Sequence, residues 1–141
     1  MKVLKFGGTS VGSTDNLRIV KKILEGQDQP CAVIVSAFGG LTDQIIQTAK
    51  LASTRNKAFK SEVATIQERH LHTVRELMEG ESLEFTLLEV ESLLNEFGDV
   101  LQGVYQLQDL SSKTLDYLLS FGEVLSATIL SRFVDNAVFV D

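Results

Sequence analysis

Two rhythms of apolar residues divide this chain. Three short runs, KVLKF at 2–6, CAVIVS at 31–36 and AVFV at 137–140, are apolar or β-branched at nearly every position. Runs of that length without alternation suit parallel strands covered by helices on both faces. Between the first two, TDNLRIVKKILEG sets Leu17, Val20, Ile23 and Leu24 three and four apart, the spacing of a helix from Thr14 to Gly26. Ser13 or Thr14 is its expected cap and Gly26 its stop. Strand, loop, helix and strand in that order predict a right-handed parallel crossover.

From Leu41 onward the period is helical. Helices are expected at Leu41 to about Leu51, roughly Lys60 to Met78, Glu81 to about Tyr105, Ser112–Leu119 and about Glu123 to Val134. The longest carries Leu83, Leu87, Val90, Leu94, Phe97, Leu101 and Val104 in steps of three and four, an amphipathic stripe. A coiled-coil seam is the sharper reading of that stripe, and Gly98 and Gly103 speak against it. It nonetheless motivates a competing view of the chain as a non-catalytic helical interaction module. Three strands with this many helices make an incomplete α/β sandwich. Since the last strand ends at Asp141, the sequence reads as the front part of a longer protein. Any site in it would then be part of a site.

Composition narrows the class. A length of 141 residues suits one domain, and 44% hydrophobic with 23% charged residues is a globular balance. The net charge of −6 argues against nucleic-acid partners, which demand basic surfaces, but leaves room for one phosphorylated small molecule. Cys31 is the lone cysteine, so no internal disulfide is possible, and its place in CAVIVS suits a small core residue. No run approaches the roughly 20 apolar residues of a membrane span, and no signal peptide opens the chain. A cytoplasmic protein without membrane partners is expected.

Candidate chemistry gathers where strands end, as ligands do in open α/β folds. Lys5 stands inside the first strand, followed by Gly7, Gly8, Thr9 and Ser10. A buried lysine needs an anion beside it. Glycines let an anion approach the backbone N–H groups, hydroxyls add donors, and the following helix offers its positive end. Two glycines alone would mean only a tight turn with Lys5 reaching water; the lysine, the glycine pair and the hydroxyls together point to phosphate. The familiar P-loop does not fit, since Ser13 stands where its lysine belongs. A dinucleotide fingerprint fails at Thr9. The second strand repeats the design, with Ser36, Gly39, Gly40 and then Thr42 at a helix start. In SFGEVLSA, Gly122 and Glu123 are expected to open a helix, where a glutamate is usually a dipole or capping residue. His70 and His72, two apart on a helix, point to different faces and make a poor shared metal site.

Taken together, KFGGTSV at 5–11, VSAFGGLTD at 35–43 and SFGEVLSA at 120–127 resemble, in order and spacing, the landmarks of the aspartokinases within the amino acid kinase family. The resemblance implies a three-layer α/β/α sandwich with a mostly parallel sheet, incomplete in this chain. It implies ATP- and Mg²⁺-dependent phosphorylation of the L-aspartate side-chain carboxylate, in a homo-oligomeric full-length protein. On it, Lys5 would neutralise the transferring phosphoryl group. Gly7, Gly8, Thr9 and Ser10 would hold ATP phosphates, and Ser36 would lie between the ligands. Thr42 would touch aspartate and Glu123 would pair with its ammonium. A relative acting on glutamate or N-acetylglutamate is the same-class alternative. The family's later segment, with the arginine for the aspartate α-carboxylate and most of the adenine site, has no match here. The chain alone is therefore expected to be inactive. Its helical middle leans towards the type fused to a homoserine dehydrogenase.

Overall fold

The computed structural model describes residues 1–141. β1 (Lys2–Phe6) and β2 (Cys31–Val35) pair in parallel, with Lys2 opposite Cys31 and Phe6 opposite Val35. α1 (Thr14–Glu25) makes the crossover. The Ser13 hydroxyl accepts from the Asn16 N–H at 3.2 Å to cap it, and Gly26 closes it. Residues in register share a face of the pleat. Val3, Lys5, Ala32 and Ile34 form one such face, and all four are exposed, Val3 at 65% and Ile34 at 52%. On the opposite face Phe6 and Val35 pack on the core. The cover expected on both faces is present on one. Lys5 is accordingly exposed, and the expectation of a buried, ion-paired lysine is corrected: with no layer over it, its ammonium keeps its water.

The third strand does not form. Residues 137–140 run beside β2 without joining its ladder, and a groove of about 510 Å³ separates them. Just upstream the backbone N–H of Asp135 donates to Glu25 Oε1 at 3.2 Å, and Asn136 turns the chain at φ 59°. AVFV makes no ladder with β2, and β-branched residues gain little without cross-strand partners. Cys31, expected in the core, is half-buried and lines this groove.

The helices carry the core. α2 (Leu41–Ser53), α3 (Phe59–Leu77), α4 (Gly80–Leu107) and α5 (Ser112–Phe133) pack mainly on one another. α4 runs unbroken through Gly98 and Gly103, because Val90, Leu94, Phe97, Leu101 and Val104 are all buried inside the chain. Their burial outweighs about 1 kcal/mol of propensity lost at each glycine. The stripe that suggested a coiled coil is thus covered internally, and the separate interaction module loses its motive. α5 is one helix where two are expected. Leu118, Phe121, Leu125 and Ile129 are buried along one side of it, so packing carries it past Gly122 and sets Glu123 in mid-helix. No helix is long and apolar enough to cross a membrane.

Gly122 has a packing reason. A Cβ there would lie 2.8 Å from Ala37 Cβ, in the loop after β2, and 3.5 Å from Leu41 Cδ2. Gly122→Ala gains about 1 kcal/mol of helix propensity but overpacks this contact, at about 1–3 kcal/mol. A net loss on the order of 1 kcal/mol in urea unfolding is expected; a more stable variant would show that α5 and the loop are not in forced contact.

His70 of α3 is fully buried, with Nδ1 2.7 Å from the Ile66 carbonyl, while His72 is exposed beside Glu76. Burial, the larger effect, and the nearby Arg69 charge press the His70 pKa from 6.5 down to about 4, against the Ile66 hydrogen bond. The unfolded chain binds the proton more readily, so this neutral histidine favours the fold above pH 6.5, and that contribution fades as pH falls towards 4. Stability should drop by about 3 kcal/mol across that window. His70→Gln should flatten the drop in urea titrations at successive pH values; an unchanged slope would assign it to other groups.

Candidate functional site

The loops after β1 and β2 lie against each other at the carboxyl ends of the parallel strands. A side chain on Gly8 would come within 3.3 Å of the Ala37 carbonyl and 3.4 Å of Gly39 Cα. One on Gly39 would meet the Gly8 carbonyl at 3.2 Å, and one on Gly12 would meet it at 3.1 Å. These three glycines are needed for contact of backbone on backbone. Gly40 is needed for another reason: its φ of 79° starts α2 from the left-handed region. The register adds a rung, for the Ser36 N–H donates to the Phe6 carbonyl at 3.0 Å. Ser36 therefore continues the ladder beside Gly7.

Three side chains hold the loop carbonyls from behind. Asn16 Nδ2 donates to the Thr9 carbonyl at 2.8 Å. Ser126 Oγ, on α5, donates to the Ser36 carbonyl at 2.7 Å. Arg69, on α3, donates through Nη2 to the Gly12 carbonyl at 3.3 Å and through Nη1 to the Gly39 carbonyl at 2.9 Å. Its guanidinium also lies 5.3 Å from the centroid of the Phe38 ring, which stacks on His70 at 4.7 Å. Partial burial pulls the Arg69 pKa below its ordinary value. A peptide unit points its C=O and the N–H of the next residue in opposite directions, so the bond from Arg69 to the Gly39 carbonyl turns the Gly40 amide away from Arg69. The N–H groups of Gly7, Gly8, Thr9, Gly39 and Gly40 donate to no backbone carbonyl of the chain. Unbonded amides at the strand ends, with α1 and α2 starting beside them, suit an anion.

The sequence-derived candidates sit around these loops. Lys5 is exposed on the open face, opposite Ile34 and one rung before the first loop. Gly7, Thr9 and Ser10 are exposed; Gly8 and Ser36 are half-buried between the loops. Thr9 and Ser10 border a cleft of about 200 Å³ whose other wall is Asn16, Ile19, Val20 and Ile23 of α1. Thr42 is exposed in the first turn of α2, with Gly40 in the cap position. Glu123 is exposed on α5, between Gly122, which abuts Ala37, and Ser126, which holds Ser36. The expectation that Glu123 opens a helix is thereby corrected, since α5 begins eleven residues earlier at Ser112. The glutamate belongs to the site's surroundings through side-by-side packing, not through a helix start. Arg69, Asn16 and Ser126 escaped the sequence reading. The ERH and LSA stretches containing two of them carry no spacing that marks a loop clamp.

Comparison with known proteins identifies the family. The model of the amino acid kinase family matches residues 1–138. Aspartokinase 1, chloroplastic, of Arabidopsis thaliana is 31% identical over 138 residues, 95% of this chain and 23% of that protein. Bifunctional aspartokinase/homoserine dehydrogenase 2, chloroplastic, of the same plant is 29% identical over 133 residues, 94% of this chain and 14% of that protein. Among solved structures, E. coli aspartokinase III in complex with aspartate and ADP (R-state) superimposes with a TM-score of 0.79 at 22% identity. That match covers 94% of this chain and 28% of the other. The chain spans about a quarter or less of each protein it resembles. Relatives with and without a dehydrogenase both match, so the lean towards the fused type gains nothing from them.

Proposed function

Because the chain belongs to the amino acid kinase family, we propose that it is the amino-terminal part of an aspartate kinase catalytic domain. Residues 1–141 form that part, with the helical stretch of about 41–134 as its elaboration. The reaction transfers the γ-phosphoryl group of ATP to the side-chain carboxylate of L-aspartate, giving 4-phospho-L-aspartate and ADP. A carboxylate oxygen attacks phosphorus as the bond to the ADP oxygen breaks. The carboxylate is already ionised at neutral pH, so no protein base is required. What the reaction requires is relief of repulsion between two anions, and alignment.

The observation that carries the proposal is the pair of glycine loops packed backbone on backbone, with four carbonyls held by side chains and the amides of Gly7, Gly8, Thr9, Gly39 and Gly40 without a carbonyl partner. Gly7, Gly8, Thr9 and Ser10 bind the ATP phosphates there, and Lys5 brings a positive charge to the phosphoryl group in transfer. Ser36, on the rung between the loops, lies between the two substrates. Thr42 contacts aspartate, and Glu123 pairs with its ammonium group. The aspartate and ADP held by the E. coli neighbour support this choice of ligands. No cluster of three or more His, Cys, Asp or Glu side chains gathers in the chain. Mg²⁺ enters as part of the MgATP substrate, held chiefly by its phosphates. The adenine and aspartate α-carboxylate contacts lie in the rest of the enzyme, so residues 1–141 by themselves bind weakly and turn nothing over.

In the full-length enzyme, Lys5→Ala should lower hydroxamate-trapped acyl phosphate formation by about 10²-fold or more. Undiminished turnover would remove Lys5 from the chemistry. Glu123→Gln should raise KM for aspartate about 10- to 100-fold while leaving KM for ATP nearly unchanged. A rise for ATP alone would count against the ammonium contact. Faster turnover of glutamate or N-acetylglutamate than of aspartate would move the assignment within the family.

A further inference from the structure

Arg69 is unusual among the charged side chains of this protein. It is half-buried, it has no carboxylate within ion-pairing distance, and both of its bonded partners are backbone carbonyls of distant segments. One belongs to the loop after β1 and the other to the loop after β2. Holding a guanidinium away from water without a counter-charge is an expensive way to gain stability, and an apolar residue would fill the space more cheaply. A planar fork, however, can fix two acceptors at a set separation and angle, which a lysine ammonium cannot do. The Phe38 ring beneath it and the stacked His70 limit its freedom to swing.

We propose that Arg69 is a positioning residue: by bridging the Gly12 and Gly39 carbonyls it fixes the two glycine loops relative to each other, and with them the alignment of the two substrates. The kinetic half of this rests on the aspartate kinase reading; the mechanical half does not. In that reading one loop carries the ATP phosphates and the other the approach to aspartate. A slip of one loop past the other lengthens the distance over which the phosphoryl group must pass. Displacements of about 1 Å are enough to lower a rate by about 10²-fold. Each loop keeps its own amides, so neither substrate need bind much more weakly by itself. The expected signature is a fall in kcat that binding does not explain.

The test uses the full-length protein with Arg69→Met, Arg69→Lys and, as a control, Arg75→Met, which alters an exposed arginine of the same helix paired with Glu68. Hydrogen–deuterium exchange without substrates follows peptides containing the hydrogen-bonded amides of Gly12 and Leu41. Arg69→Met should speed exchange in both peptides and lower kcat by about 10²-fold, with ATP affinity and Tm close to wild type. Arg69→Lys should fall between, and the control should match wild type. Unchanged exchange in Arg69→Met would overturn the clamp, as would Arg69→Lys at the full wild-type rate, since a point charge would then suffice. If Arg69→Met does not fold, Arg69→Lys carries the test with the same signs. Faster loop exchange in a protein whose wild type fails to phosphorylate aspartate would uphold the clamp and sink the kinase reading instead.

Discussion

One guanidinium between two carbonyls organises the candidate site. Arg69 reaches from α3 to Gly12 and Gly39, residues 57 and 30 positions away in the chain. Satisfying those carbonyls from behind decides which way the adjoining peptide units turn. Through Gly39 the guanidinium turns the Gly40 amide outward, and through both carbonyls it sets the spacing of the two loops. Glycine follows from the same constraint, because the loops can share one fork only if their backbones touch, and at Gly8, Gly12 and Gly39 a Cβ would keep them apart. An acidic chain of net charge −6 thereby presents a surface fit for an anion.

The helices do the holding that the sheet is too small to do. Two five-residue strands supply direction and register, but only one of their faces meets the core. α3 supplies Arg69, α1 supplies Asn16 and α5 supplies Ser126, so each loop is fastened to helices as well as to its strand. The long apolar stripe of α4 lies behind them and is consumed in packing the bundle. The helical middle is thus the scaffold of the site as well as the bulk of the chain.

Much of this could be read from the residues in order. The glycine loops, both strands and the crossover helix are local in origin: apolar runs, a Ser13 cap, paired glycines. What could not be read depends on partners far away in sequence. AVFV has strand propensity but lies beyond a groove from the nearest edge. Lys5 sits in an apolar run and would be buried if both faces of its strand were covered. Gly122 looks like a helix boundary until its neighbours on both sides prove to be core residues. Arg69 carries no mark at all, because the carbonyls it serves belong to other segments.

α5 brings three functions onto consecutive turns: Gly122 abuts one loop, Ser126 holds the end of β2, and Glu123 stands exposed between them. This helix cannot slide to enlarge or shrink the space near Glu123 without also dragging Ser36. On the proposed aspartate kinase reading, descendants of such a scaffold that favour a longer or shorter amino acid are steered towards trimming individual side chains, with the supporting rod left where it is. Divergence in substrate choice would then be written in point replacements on an inherited and nearly immovable frame.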